Sequence, residues 1–316
     1  MVSVIVPLFN KAPYIRRAID SISRQSYTDF ELIVVDDGST DGGREIVESL
    51  REPALRLIVQ PNAGPGAARN AGIAAARGSL LAFLDADDEW SATFLERSVA
   101  LLEQEPEAAS VTSASVRQPP GESTVPLWHK RGLRSQTYRL DSRTEPAFTV
   151  HLLAFMSWVC SMVMRTEAVR RLGGFYEHRC MYGEDGFLTL KMLLTAPAIV
   201  NLEPLATYHA DSSVLNHRAV SLRGVEPILQ DPSELYAVCP AELKGLLDDV
   251  LAARAFKTAC VLTYWGRWRE GRDLMRRFTS SSAWRLPLFA QAHMGVNPIG
   301  AAAATFWRSC RRLARA

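Results

Sequence analysis

Apolar runs alternate with helix-spaced patterns along the first part of the chain. Val2 to Val6 reads as a short β-branched strand stopped by Pro7, and Asn10-Lys11-Ala12-Pro13 then opens a helix whose Ile15, Ala18, Ile19 and Ile22 recur at helical spacing. Phe30 to Val35 reads as a buried strand that ends in the turn Asp36-Asp37-Gly38-Ser39-Thr40-Asp41, and Gly42 onward reads as helix through Ile46, Val47 and Leu50. Leu55 to Val59 is a third strand, ending at Gln60-Pro61-Asn62. Leu80 to Leu84, bounded by Ser79 and Asp85, reads as a strand buried on both faces. This alternation implies a mostly parallel sheet with right-handed crossovers. Ligands of such sheets bind at the carboxyl ends of the strands, the edge on which all these acidic turns lie.

From Ser110 the pattern degrades. Val116 to Ser123 has loop chemistry, and His129 to Arg139 is locally basic, either a flap with cations facing an anionic partner or a solvated loop. Ala147 to Met164 is uncharged and long enough to raise a membrane span, but His151, Ser157 and Trp158 argue for a buried helix followed by a strand, with Trp158 in the core or lining a pocket. Thr166 to Leu172 reads as helix, Gly183 onward as another, and Ile199 to Tyr208 as strand, followed by His209, Asp211, Ser212, Ser213, Asn216 and His217. Beyond about Ser221 helix patterns dominate, which divides the chain into residues 1–220 and a helical extension, 221–316. Leu286 to Trp307 has no formal charge, yet Pro287, Gln291, His293, Asn297 and Pro298 interrupt it and argue against a span. Trp307 with Arg308, Arg311, Arg312 and Arg315 suits attachment to an anionic lipid surface, the alternative being an ordinary docked terminal helix.

Composition adds limits. The 316 residues carry a net charge of +2 and 47% hydrophobic residues, so no global basic field argues for nucleic acid as a partner. The five cysteines form no C-x-x-C or Cys/His cluster, which favours free thiols in a reducing cytosol. Met1 to Pro7 lacks the basic start of a signal peptide, so the expected location is cytoplasmic, with peripheral contact at the inner face of the membrane.

Candidate chemistry gathers at the strand ends. Leu80 to Leu84 runs into Asp85-Ala86-Asp87-Asp88, and like charges this close repel unless a cation is shared between them. A hard divalent ion, Mg²⁺ or Mn²⁺, completed by substrate phosphates suits that turn; Asp87 or Asp88 capping a helix that begins at Ser91 is the alternative. The stretch Gly64-Pro65-Gly66-Ala67-Ala68-Arg69 could cradle a phosphate at a helix start, although its alanine run favours a tight turn and a closely packed helix. Glu184 and Asp185 begin a helix, where the dipole favours acids, and a partly desolvated carboxylate there is also a plausible general base.

Taken in order, Val4-Ile5-Val6-Pro7-Leu8-Phe9-Asn10, Val35-Asp36-Asp37-Gly38-Ser39-Thr40-Asp41, Asn62-x-Gly64-Pro65-Gly66-Ala67-Ala68-Arg69-Asn70, Phe83-Leu84-Asp85-Ala86-Asp87-Asp88, Gly173-Gly174-Phe175 and Glu184-Asp185 closely resemble the family-two glycosyltransferases. The resemblance implies a GT-A fold for residues 1–220, a mostly parallel sheet flanked by helices. It also implies inverting transfer of a sugar from a nucleotide-diphosphate donor, with a UDP-sugar expected, and a divalent metal. By position, Pro7 and Asn10 border the nucleotide pocket, Asp36 or Asp37 bonds base and ribose, Arg69 stands near the nucleotide, and Asp85 and Asp87 engage ribose and metal-bound diphosphate. Glu184-Asp185 matches the pair that supplies the base, with Asp185 favoured. Where relatives often carry Tyr-Arg-x-His, this chain has Tyr208-His209-Ala210-Asp211, leaving His209, Asp211 or neither as a further metal ligand. A saccharide or lipid-linked acceptor is expected, chosen by Trp158, the Ser110–Leu140 loop and the carboxyl-terminal region, with the helical extension, 221–316, facing acceptor or membrane. The competing readings are a nucleotidyltransferase, which would carry a basic Gly-rich turn after the first strand, and a nucleotide-sugar-binding protein without turnover. Oligomeric state is not encoded in any of these patterns.

Overall fold

A computed structural model of the chain describes residues 1–50, 52–156, 158–178, 180, 182–212 and 224–278. It forms two compact units, one of Met1–Leu140 with His151–Asn216 and one of Asp141–Val150 with His217–Ala316.

The first unit begins with three strand–helix repeats: β1 (Val2–Leu8), α1 (Ala12–Ser23), β2 (Phe30–Asp36), α2 (Gly43–Ser49), β3 (Leu55–Val59) and α3 (Pro65–Ala75). Then follow β4 (Leu80–Phe83), β5 (Glu89–Trp90), α4 (Phe94–Gln104), β6 (Ser110–Gln118), β7 (Glu122–Ser123), α5 (Val125–Lys130) and β8 (Gln136–Tyr138). Beyond α6 (Pro146–Met156), which begins in the second unit, come β9 (Met162–Arg165), α7 (Thr166–Arg171), α8 (Glu184–Thr195) and β10 (Ala198–His209). One sheet runs in the order β3-β2-β1-β4-β9-β6-β10-β5, with β7 on β6 and β8 on β10. The ladders among β1, β2, β3 and β4 are parallel, as is β6 with β10. Continuous apolar runs suit this placement, since Val4, Ile5, Val6, Leu32, Ile33, Val34, Leu81 and Phe83 are all fully buried.

Four sequence expectations change here. β1 continues through Pro7, because β4 pairs only with Val2–Ile5 and leaves the missing N–H without a ladder to break. Ser110 onward is strand β6, seated between β9 and β10 despite its Ser and Thr residues; Ser110, Thr112 and Ser113 are buried, and Thr112 hydrogen-bonds Ser161 at 3.1 Å. β9, entering antiparallel between β4 and β6, makes the far half of the sheet mixed. The acidic turn does not cap a helix at Ser91: Glu89 and Trp90 pair with β10, Trp90 stacks on Phe94 at 4.3 Å, and α4 starts only at Phe94.

The second unit contains α9 (Pro227–Gln230), α10 (Ser233–Val238), α11 (Lys244–Tyr264) and α12 (Trp268–Arg277). Glu226, buried ahead of α9, accepts hydrogen bonds from Arg254 and Thr258 of α11, so its charge is paired where it is desolvated. Among the described residues no helix is long and apolar enough to cross a membrane. Ser213, Asn216, His217, Leu286 to Trp307 and the terminal arginines lie outside the described residues.

Candidate active site

The carboxyl edges of β1, β2 and β4 supply the expected residues. At the end of β1, Asn10 takes a left-handed backbone, φ 52°, a conformation Asn tolerates better than most residues. Its N–H donates to Ser39 Oγ at 3.1 Å and its Oδ1 accepts from the Thr40 N–H at 2.9 Å, stitching the β1 and β2 turns together. Pro7 is half-buried beside Leu8, and Phe9 is 46% exposed on this edge. At the end of β2, buried Asp36 accepts from the Ser39 N–H, whereas Asp37 turns to the β3–α3 loop. Its Oδ1 accepts from Gln60 Nε2 and the Ala63 N–H, and its Oδ2 from the Gly64 N–H, each at 2.8 Å.

That arrangement bears on the two readings of the Gly-rich stretch. The N–H groups of Ala63 and Gly64 are spent on Asp37, and a Cβ on Gly66 would lie 2.2 Å from the Tyr176 carbonyl oxygen. The Gly66 contact supports the close-packing reading of α3, and the Ala63 and Gly64 N–H groups are not free for a phosphate.

Arg69, buried on α3, is the hub of the site. Its Nη2 donates to Asp85 and its Nη1 to Glu184, both at 2.8 Å, and its guanidinium lies 5.3 Å from the centre of the Phe175 ring. Burial opposes its charge, but Asp85 and Glu184 outweigh burial and hold it protonated more firmly than an ordinary arginine. Asp185 follows Glu184 in the first turn of α8. Its carboxyl lies deep in the site although part of the residue still meets solvent, and burial first, then the Glu184 carboxylate, push it up to about 7.

The Asp85–Asp88 turn folds back on itself through the Asp88 N–H to the Asp85 carbonyl. Asp87 accepts from Lys11 Nζ at 2.5 Å, and Arg17 donates to the Asp87 carbonyl. Asp88 accepts from the His209 N–H at 2.9 Å; burial, then the Asp85 carboxylate, raise its carboxyl well above the usual range. The His209 ring lies 3.0 Å from Glu89, and Asp211 is exposed just beyond β10. Trp158 is half-buried, edge-to-face with Tyr208 at 6.0 Å.

A divalent cation suits this chemistry. Ligand atoms of Asp85, Asp88 and Cys160 lie within 4.8 Å of one another, and the carboxylates are hard oxygen donors. Burial, then Asp85 and Asp88, push the Cys160 thiol well up, so it stays protonated while its sulfur accepts from the Asp85 N–H at 3.2 Å. The carboxylate oxygens of Asp85 and Asp88 are the hard donors of that group.

Lys11, Arg17, Phe9 and Cys160 carried no sequence expectation at this site. Lys11 sits at the start of α1 in Asn10-Lys11-Ala12-Pro13, where helix-start chemistry masks it, and Cys160 is brought to Asp85 only by the β4–β9 pairing.

The model of the family described as "Glycosyl transferase family 2" matches residues 3–173, more than half of the chain. The chain belongs to glycosyl transferase family 2. An uncharacterized glycosyltransferase of Nostoc sp. is 46% identical over 105 residues, 32% of this family 2 chain and 33% of that protein. The chain thus matches about a third of that relative's length. S. aureus TarS, solved also with UDP and with UDP-GlcNAc, superimposes with a TM-score of 0.63 at 20% identity, covering 98% of this chain and 91% of that one. The mannosyltransferase PcManGT of Pyrobaculum calidifontis, in complex with GDP-Man and Mn²⁺, gives a TM-score of 0.58 at 21% identity over 97% and 87% of the two chains. The family 2 chain has the GT-A fold of these glycosyltransferases, with helices at its carboxyl end.

Proposed function

We propose that the protein is an inverting glycosyltransferase that moves a sugar from a nucleotide-diphosphate donor, a UDP-sugar by expectation, to a hydroxyl of a saccharide or lipid-linked acceptor. The observation that carries this reading is the double hydrogen bond of Arg69, which holds the acidic turn after β4 against the acidic start of α8. Donor and base machinery then share one guanidinium. The UDP-GlcNAc and GDP-Man in the TarS and PcManGT complexes support a nucleotide sugar as donor class.

In this reading Pro7, Asn10 and Asp36 border the base and ribose, with the exposed Phe9 ring as a stacking face. Asp37 shapes the pocket through the loop it anchors. Asp85, Asp87 and Asp88 would hold Mn²⁺ or Mg²⁺, with His209, Asp211 or neither completing the shell. When bound, such an ion neutralises charge on the departing diphosphate. Asp185 takes the acceptor proton as the acceptor oxygen forms its bond to the anomeric carbon from the face opposite the breaking bond to the diphosphate oxygen. A base near 7 is matched to neutral pH, and Glu184, bonded to Arg69, holds the pair in place. Trp158 lies at the same strand edge, as an acceptor-side wall would.

Residues 1–220 act as the transferase domain, and 221–316 as the extension that meets acceptor or the inner face of the membrane in the cytoplasm. Deleting residues 307–316 weakens binding to anionic vesicles; unchanged binding removes the membrane contact. The catalytic reading is tested by donor turnover across an acceptor panel with wild type and Asp185→Asn. Transfer with release of the nucleoside diphosphate by wild type alone supports it, and equal turnover by both proteins contradicts it.

A further inference from the structure

The turn from Leu172 to Glu177 is anchored from three sides. Lys191 of α8 donates from Nζ to the Leu172 carbonyl at 2.5 Å. The Tyr176 ring packs edge-to-face on Phe187 of α8 at 5.2 Å, and the Phe175 ring does the same on Phe83 of β4 at 5.0 Å. From α3, Asn70 engages both polar groups of one backbone residue: its Oδ1 accepts from the Phe175 N–H and its Nδ2 donates to the Phe175 carbonyl, each at 2.9 Å. Nδ2 also reaches Glu177 Oε1 at 3.0 Å. The approach is close enough that Gly174, at φ +75°, has no room for a side chain, since a Cβ would lie 2.5 Å from Asn70 Oδ1.

Phe175 is the consequential partner. Its ring lies between Phe83, two residues before Asp85, and the Arg69 guanidinium, which bridges Asp85 and Glu184. We infer that Asn70 is a positioning residue: by pairing with the Phe175 backbone it fixes the ring that supports Arg69, and through Arg69 it fixes the spacing between the Asp85 turn and the Glu184–Asp185 pair. This role rests on the transfer reaction proposed above. A primary amide has a donor and an acceptor side by side, which this contact needs; a carboxylate lacks the donor, and alanine lacks both. Misplacement of reacting groups by about an ångström costs on the order of 10²-fold in rate, so a distant backbone clamp can act on the chemistry without touching substrate.

The test uses the full-length protein with Asn70→Ala and Asn70→Asp, the latter of equal size should the alanine variant fail to fold. Glu177→Gln serves as the control for the exposed contact. Amide hydrogen exchange over residues 173–178 is read without substrate. It is expected to quicken by about tenfold or more in both variants, since Asn70→Asp keeps the acceptor for the Phe175 N–H but turns a carboxylate oxygen towards the Phe175 carbonyl and Glu177. Transfer is expected to fall by roughly 10- to 100-fold with UDP affinity changed by less than about twofold, while Glu177→Gln stays near wild type in both. Unchanged exchange at 173–178 overturns the clamp, and loss of transfer and UDP affinity in equal proportion overturns the positioning role in favour of general destabilisation. Because exchange is measured without substrate, its outcome is separate from that of Asp185→Asn, which bears on the proposed reaction itself.

Discussion

Asp85 and Glu184 accept hydrogen bonds from the same guanidinium, each at 2.8 Å, although one ends a strand and the other starts a helix far along the chain. Arg69 is nearly fully buried between them, so the two acids are held at a fixed spacing by a charge that neither solvent nor salt screens well. Arg69→Met leaves two carboxylates unpaired and should cost about 3–5 kcal/mol of stability, read as a large fall in the thermal midpoint. Arg69→Lys keeps a charge but supplies one compact ammonium for two partners, so transfer should be lost even where the protein folds. Wild-type transfer by Arg69→Lys would separate the two acids' functions.

Asp185 should set the pH dependence. Its carboxyl is raised to about 7, so it is protonated below that value and competent as a base above it. Transfer should therefore rise with pH through about 7 and then level. Asp185→Asn should remove transfer by roughly 10²–10⁴-fold and leave UDP affinity nearly unchanged. The linked stability effect has the opposite sense: the folded protein binds a proton that the unfolded chain releases near the ordinary carboxylate value. Stability from this group is thus lost between about 4 and 7 as pH rises, and Asp185→Asn should gain stability over wild type most clearly above pH 7. A pH-independent difference in thermal midpoint would contradict the assignment.

Asp37 should behave as a loop anchor. Both its oxygens accept main-chain N–H groups, so Asp37→Asn turns an N–H₂ towards a donor and should cost about 1–3 kcal/mol. UDP affinity should fall with it, because the Asn62–Gly64 loop borders the same edge. An unchanged melting temperature would show that the loop does not depend on this carboxylate.

Phe9 offers the simplest probe of the nucleotide side. Base-on-aromatic stacking contributes about 1–3 kcal/mol, so Phe9→Ala should weaken UDP at least fivefold while the thermal midpoint stays close to wild type, since Phe9 is exposed and outside the core. Equal UDP affinity in the variant would move the base elsewhere.

The first half of the fold was legible because its strands are apolar throughout and its turns carry acid or glycine, as in Phe30–Asp36 and Leu80–Asp85. β6 was not, since Ser110, Thr112, Ser113 and Ser115 break the apolar run that marks a buried strand, and it is β9 and β10 on either side that enclose them. The acids of the candidate site stood out for the same reason that buried strands rarely end in charge. Their counter-ions did not: nothing in the local pattern of Lys11 or Arg69 says which carboxylate each will meet, because that pairing is made by the parallel stacking of β1 beside β4 and by α8 returning to the same edge.

The most direct measurement is calorimetric titration of the protein with UDP, with and without Mn²⁺, in wild type and Asp87→Ala, alongside the other nucleoside diphosphates. One nucleotide should bind tightly only with Mn²⁺ in wild type, and this metal dependence should disappear in Asp87→Ala. Absence of binding by every nucleoside diphosphate, or Mn²⁺-dependent affinity unchanged in Asp87→Ala, would contradict this site assignment.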